Sequence, residues 1–241
     1  AIDSNRYLID EYELHQFSTV GQITEEPVAL ANGKPESILL YGGIDFDESA
    51  AKEKQTDKTV AFSETLQRTV RGGRWNHLPG TLEEVKMIQQ LYERNKKPVS
   101  VIRERQATEE SLKELSGQSP GILHLATHGF SLPNSTRNTE FRTGNPFSAA
   151  ENPLMRSGII LAGANRVWSG GIPLAGKEDG IATAYEIAGL DLSGTGLVVL
   201  SACETALGDI RGTEGVFGLQ RAFKLAGVRQ MILSLWQGPA R

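Results

Sequence analysis

The sequence predicts an α/β domain, a doubly wound and mostly parallel sheet with helices on both faces, and three observations lead to that expectation. Short continuous apolar runs, such as Leu197, Val198, Val199 and Leu200, are written the way strands covered on both faces are written. Between these runs lie stretches with apolar residues at helical spacing and capping residues in front of them. The connections are brief, and strand and helix alternating in that rhythm imply right-handed parallel crossovers. A chain of 241 residues is long enough for one well-buried domain, and the regular alternation favours one over two.

Taken in order, residues 6–9 and 13–17 alternate weakly and read as an opening hairpin. Residues 37–41, SILLY, form the first core strand, which Gly42-Gly43 is expected to end. Residues 45–73 are charged and polar and read as an exposed loop. Thr81 with Glu84 has the spacing of a capping box for a helix running to Asn95, with Leu82, Val85, Ile88, Leu91 and Tyr92 on its inner face. Residues 99–102 are the next strand, and Thr108 caps a short helix that leads to the apolar run GILHLATHGF. Residues 131–156, rich in Asn, Pro, Ser and Thr, read as a lid or wall beside the end of that run. Residues 158–161 and 166–169 around Ala162-Gly163-Ala164-Asn165 read as a hairpin, and Asp179 is expected to begin a helix that buries Ile181, Ala184, Tyr185 and Ala188 before Gly189. Beyond the cysteine strand, Thr213 caps a helix over residues 214–225 with Val216, Leu219, Ala222 and Phe223 inward, and residues 230–235 form the last strand.

Two strand tips carry reactive groups. Cys203, the only thiol in the chain, follows the apolar run of residues 197–200, and His128 followed by Gly129 ends the run of residues 121–130. In open α/β sheets ligands sit beyond the carboxyl ends of the strands. A thiol is only slightly ionised at neutral pH, so a neighbouring imidazole that takes its proton makes it a nucleophile. The backbone N–H groups of Gly129 and Cys203 are suited to binding the oxyanion of a tetrahedral intermediate. These residues alone leave amide, thioester and disulfide chemistry open. His124, inside its strand, reads as a core histidine with a local hydrogen bond, and His15 and His77 read as surface residues.

Composition narrows the field. A net charge of −4 with no basic stripe gives no footprint for nucleic acid. One cysteine excludes an intrachain disulfide and a thiolate-rich zinc site. His124 and His128 are four apart on an extended strand, about 13 Å of rise, so no metal is expected, and neither is any other cofactor. Gly212-Thr213-Glu214-Gly215 lacks the lysine of a phosphate-binding loop. No apolar run approaches the roughly 20 residues that span a bilayer, and Ala1-Ile2-Asp3-Ser4-Asn5 does not read as a signal peptide. No membrane association and a cytoplasmic location are the expectations.

The segments HLATHGF, NPLMRSGIILAGAN and VVLSACETALGD, with GTEGVFGLQRAFKLAGVRQMILSLW, together resemble the CHAT family, caspase-like domains often joined to TPR repeats. The resemblance runs from Arg6 to Trp236. It implies a caspase-like fold, a peptide bond in a protein substrate, Cys203 as nucleophile and His128 as general base, in a signalling or defence pathway. It also sets Ser201, Ser234 and Trp236 against the substrate, the last two pairing edge to edge with an extended peptide. CHAT domains continue through a further helix and strand, whereas this sequence ends at Gln237-Gly238-Pro239-Ala240-Arg241. A missing C-terminal segment, or a companion chain released by cleavage after Arg241, is therefore expected, as is a TPR region or other activating partner.

Relatives that cut after basic residues carry an acid two positions before the cysteine or just beyond the final strand. This chain has Ser201 at the first place and Gly238, Pro239 and Ala240 at the second, so a basic preference is not supported unless Asp179, Glu204 or Asp209 substitutes. An aspartate preference wants convergent arginines, for which Arg211 and Arg229 are available. Two alternatives to the peptidase stay open. One is a catalytically silent CHAT scaffold that works by binding partners, and the other is a cysteine hydrolase or transferase acting on something other than peptide.

Overall fold

The computed structural model describes residues 37–47, 74–132, 152–202 and 214–233. Among these the strands are β1 (Ile38–Ile44), β2 (Val99–Glu104), β3 (Ile122–Ala126), β4 (Gly129–Ser131), β5 (Ser157–Ile160), β6 (Ile181–Thr183), β7 (Leu197–Ser201) and β8 (Gln230–Leu233). The helices are α1 (Pro79–Arg94), α2 (Glu109–Lys113), α3 (Asn165–Trp168), α4 (Ala184–Ala188) and α5 (Glu214–Leu225), with a 3₁₀ turn at Pro153–Arg156. Five strands make an all-parallel sheet in the order β2-β1-β3-β7-β8, which puts β3 at the centre.

Side chains of a strand alternate between faces, so each central strand feeds two cores. Ile38 and Leu40 of β1 and Ile122 and Ala126 of β3 meet Val85, Ile88 and Tyr92 of α1. Leu39, Tyr41, Leu123, Leu125, Val198 and Leu200 point the other way, into the larger core with Leu112, Ile187, Leu219, Ala222 and Phe223 from α2, α4 and α5. Helices thus cover both faces of a parallel sheet, the α/β architecture expected from the sequence. The opening hairpin, the Thr213 cap and the side chain of Val216 lie outside the described residues.

The structure corrects several local expectations. β1 does not end at Gly42-Gly43 but runs through to Ile44, with a register shift between Gly42 and Ile44 against β2. The glycines serve the approach of α1: a Cβ on Gly42 would stand 2.5 Å from Val85 and 2.7 Å from the Thr81 carbonyl, and Gly43 has a φ of +61°. Thr81 and Glu84 form no capping box. Pro79 opens the helix without a side-chain cap, and the Thr81 hydroxyl donates to Leu78 O and accepts from the Gly43 N–H. Leu91 is 57 % exposed, so the inner stripe of α1 is narrower than its apolar residues suggest.

The exposed loop expected from Asp45 begins with a buried residue, Phe46. The lid expected over residues 131–156 is structured at both ends. Phe130 and Ser131 lie in β4, the Leu132 N–H donates to Arg156 O, and residues 133–151 lie outside the described residues. The hairpin expected around Ala162–Asn165 is replaced by the short helix α3, because Trp168 turns inward to pack on Trp75 and Phe130. Nor does a helix begin at Asp179. Its carboxylate accepts from the Ile181 N–H, and Ile181–Thr183 pairs with β5 in a small antiparallel sheet β4-β5-β6. The helix starts at Ala184 behind a capping box of Thr183 and Glu186, and Tyr185 points outward. By contrast, Thr108 caps α2 as expected, accepting from the Ser111 N–H.

α2, α4 and the segment before β6 are joined by one cation. Lys113 Nζ lies 2.7 Å from Glu109, 3.0 Å from Glu178 and 3.2 Å from Glu186. Glu109 is 1 % exposed, its second oxygen accepts from the Gly180 N–H, and burial pushes its carboxyl up to about 8, an effect that Lys113 opposes in part. Lys113→Met is expected to destabilise the domain by about 1–3 kcal/mol, because Glu109 then takes up a proton but loses its buried hydrogen-bond partner. Denaturant titration of the variant checks this, and the double variant with Glu109→Gln should recover most of the loss.

Candidate active site

β3 and β7 run side by side and end together. Their register pairs Ala126 with Ser201, and the Thr127 N–H extends it by donating to Ser201 O at 3.2 Å. Past that point the β3 chain is handed to the small sheet. Thr127 Oγ1 donates to Ile160 O, the Ile160 N–H donates to His128 O at 2.9 Å, and Gly129 begins β4. The chain that carries His128 is therefore held from both sheets. Ala202, the residue before Cys203, is its neighbour: a Cβ on Gly129 would lie 3.6 Å from the Ala202 Cβ, an ordinary contact. Neither packing nor a positive φ requires glycine at 129. Of the residues expected at the site, His128, Gly129 and Ser201 are described, while Cys203, Ser234 and Trp236 lie outside the described residues, as do Glu204, Asp209 and Arg211.

The His128 ring is 5 % exposed and stands between two aromatic walls, with Phe46 and Trp75 ring centroids each 5.0 Å away. Its Nε2 is 2.8 Å from the Asn76 carbonyl oxygen. A carbonyl only accepts, so Nε2 carries the hydrogen, and in the neutral ring the basic lone pair belongs to Nδ1. Burial pulls the imidazole below the ordinary histidine range, an effect the bond to Asn76 opposes in part. His128 is thus a neutral, oriented ring of fixed tautomer, as a general base requires.

On the opposite side of β3 and β7, facing α1, a second polar group was missed by reading the sequence. Glu84 Oε1 accepts from His124 Nε2 at 2.9 Å, and its Oε2 accepts from the Ser201 hydroxyl at 3.2 Å. His124 is a buried core histidine as expected, but its partner comes from α1 and is not local. The available signal was a carboxylate four residues before Ile88, on the inner stripe of an amphipathic helix. One side chain therefore ties α1 to both strands that lead toward Cys203 and His128. The two histidines are committed to different partners and do not converge on a shared ligand. The trio Glu109, Glu178 and Glu186 brings carboxylate oxygens within 4.8 Å of one another, but the Lys113 ammonium is the cation they hold. Asp179, raised above as a substitute acid, belongs to this neighbourhood and turns toward the Ile181 N–H.

The buried imidazole makes a signed prediction. Its folded-state pKa lies below its ordinary 6.5, so the unfolded chain binds the proton more tightly. The stability that neutral His128 contributes is complete above pH 6.5 and is lost as pH falls through the folded value. Between pH 7 and pH 5, the melting temperature of the parent should drop more steeply than that of His128→Gln.

Comparison with known proteins agrees with this architecture. The family model described as CHAT domain matches residues 1–240. No curated protein and no solved structure matches the chain. Among the described residues no helix is long and apolar enough to cross a membrane. A match over that length, on a parallel sheet with the histidine at the tip of its central strand, makes this chain a member of the CHAT domain family, which is caspase-like.

Proposed function

We propose that the chain is a cysteine endopeptidase that cleaves peptide bonds in a protein substrate with Cys203 as nucleophile and His128 as general base. The observation that carries this reading is the paired termination of β3 and β7, with an oriented neutral imidazole just beyond one tip and, in sequence, the chain's only thiol two residues beyond Ser201 of the other.

In this mechanism the Cys203 thiol gives its proton to Nδ1 of His128 and the thiolate adds to the scissile carbonyl. The oxyanion takes hydrogen bonds from the backbone N–H groups of Gly129 and Cys203. Collapse of the tetrahedral intermediate breaks the C–N bond, and the imidazolium returns its proton to the departing amine. Water, deprotonated by His128, then hydrolyses the thioester and regenerates the thiol. No cofactor enters these steps. The Ser201 hydroxyl donates to Glu84 on the α1 side of the sheet, so Ser201 serves the site by fixing the end of β7. Ser234 and Trp236, which follow the edge strand β8 in sequence, pair with an extended peptide.

Cys203→Ala is expected to abolish cleavage of a protein substrate, and His128→Ala to reduce it by on the order of 10²–10⁴-fold, with native melting profiles in both. Mapping the new termini of co-purifying proteins supplies the substrate. Normal cutting by either variant would refute the dyad. Partner capture that survives Cys203→Ala, with no cleavage and no iodoacetamide labelling of Cys203 in the parent, would favour the scaffold instead.

A further inference from the structure

Asn165 closes the Ala162-Gly163-Ala164-Asn165 stretch and opens α3, and neither the fold nor the reaction described so far explains an amide there. It is 5 % exposed and every hydrogen-bonding group it has is engaged. Its backbone N–H donates to Phe46 O at 3.0 Å. Its side-chain oxygen accepts from the Trp75 N–H at 2.7 Å, and its side-chain nitrogen donates to Trp75 O at 2.9 Å and to Asp47 Oδ1 at 2.6 Å. An amide offers one acceptor and two donors at fixed angles, and this combination grips a residue at both its N–H and its C=O, as a neighbouring strand would. No carboxylate or hydroxyl of similar size supplies that set.

What Asn165 grips is the surroundings of His128. Phe46 and Trp75 are the two rings that wall the imidazole, and the residue after Trp75 provides the carbonyl that receives Nε2–H. The segments carrying these groups lie on opposite sides of residues 48–73 in the chain, and Asn165 joins them.

We infer that Asn165 is the positioning residue of His128: by holding Trp75 at both backbone polar groups and Phe46 at its carbonyl, it fixes the strap whose Asn76 carbonyl selects the Nε2–H tautomer and leaves Nδ1 as the proton acceptor. Asn165 touches no reacting atom. The catalytic use of Nδ1 rests on the peptidase reading, whereas the control of the tautomer does not. Asn165→Asp keeps the acceptor for the Trp75 N–H but turns a carboxylate oxygen toward Trp75 O and Asp47, so the strap should loosen.

The test is ¹⁵N NMR of the imidazole, which reports tautomer and protonation without reference to activity, alongside kcat and KM on a mapped protein substrate. The parent should show His128 as the Nε2–H form alone. Asn165→Asp, or Asn165→Ser if the former does not fold, should show a mixture of tautomers and a kcat lower by about 10²-fold, with KM within a factor of two. A parent ring in the Nδ1–H form, or a folded variant with an unchanged tautomer, would overturn the inference whatever its activity. A shifted tautomer in a protein whose parent cleaves nothing would leave the positioning role standing and remove the peptidase reading.

Discussion

The parallel pairing of β3 with β7 is the constraint on which the rest of the domain depends. A parallel pair must be reached by crossovers, so the pairing sends the chain through α3, β6 and α4 between the two strands and buries both in the larger core. It also makes both strands stop at the same edge of the sheet. Residues more than seventy positions apart in the chain thereby become neighbours, as the contact geometry of Gly129 and Ala202 records. With β3 at the centre of five strands, its tip has little freedom before His128 begins.

Polar groups refine what the sheet positions. Glu84 sits beneath the tips and satisfies His124 and Ser201 at once, so the face of the sheet under α1 carries a closed hydrogen-bond group where an apolar contact would serve packing equally well. Asn165 does the same above the tips with backbone groups. Between these two devices the imidazole meets the rings of Phe46 and Trp75 and the Asn76 carbonyl. An arrangement of this kind fixes the angle of a ring that a purely apolar pocket would only hold in place.

The large elements were legible in the sequence, and the small ones were not. β1, β3 and β7 are apolar runs whose length and β-branched content mark strands, and Thr108 announces α2 by its own chemistry. α3 and α4 are 4 and 5 residues long, too short for a periodic stripe, so the helical pattern expected from Asp179 was read across a strand and a helix together. The capping spacing of Thr81 and Glu84 was real, but tertiary partners took both side chains: Gly43 claimed the hydroxyl, and His124 and Ser201 the carboxylate. His128 and Gly129 could be found because they follow an apolar strand run closely in sequence, although β3 stops at Ala126 and Gly129 opens β4. The walls of His128 could not, since Phe46, Trp75 and Asn165 come from three separate segments and no local pattern links them.

The packing of Trp75 between His128 and Trp168, with its ring tilted to both, has an optical consequence. An imidazolium drains emission from an adjacent indole more effectively than a neutral imidazole does, and Trp75 is one of only three indoles in the chain. Light absorbed at this pair is therefore returned or lost according to the charge of the very ring that the surrounding protein keeps neutral. The fold has built a natural fluorophore into the wall of its own base.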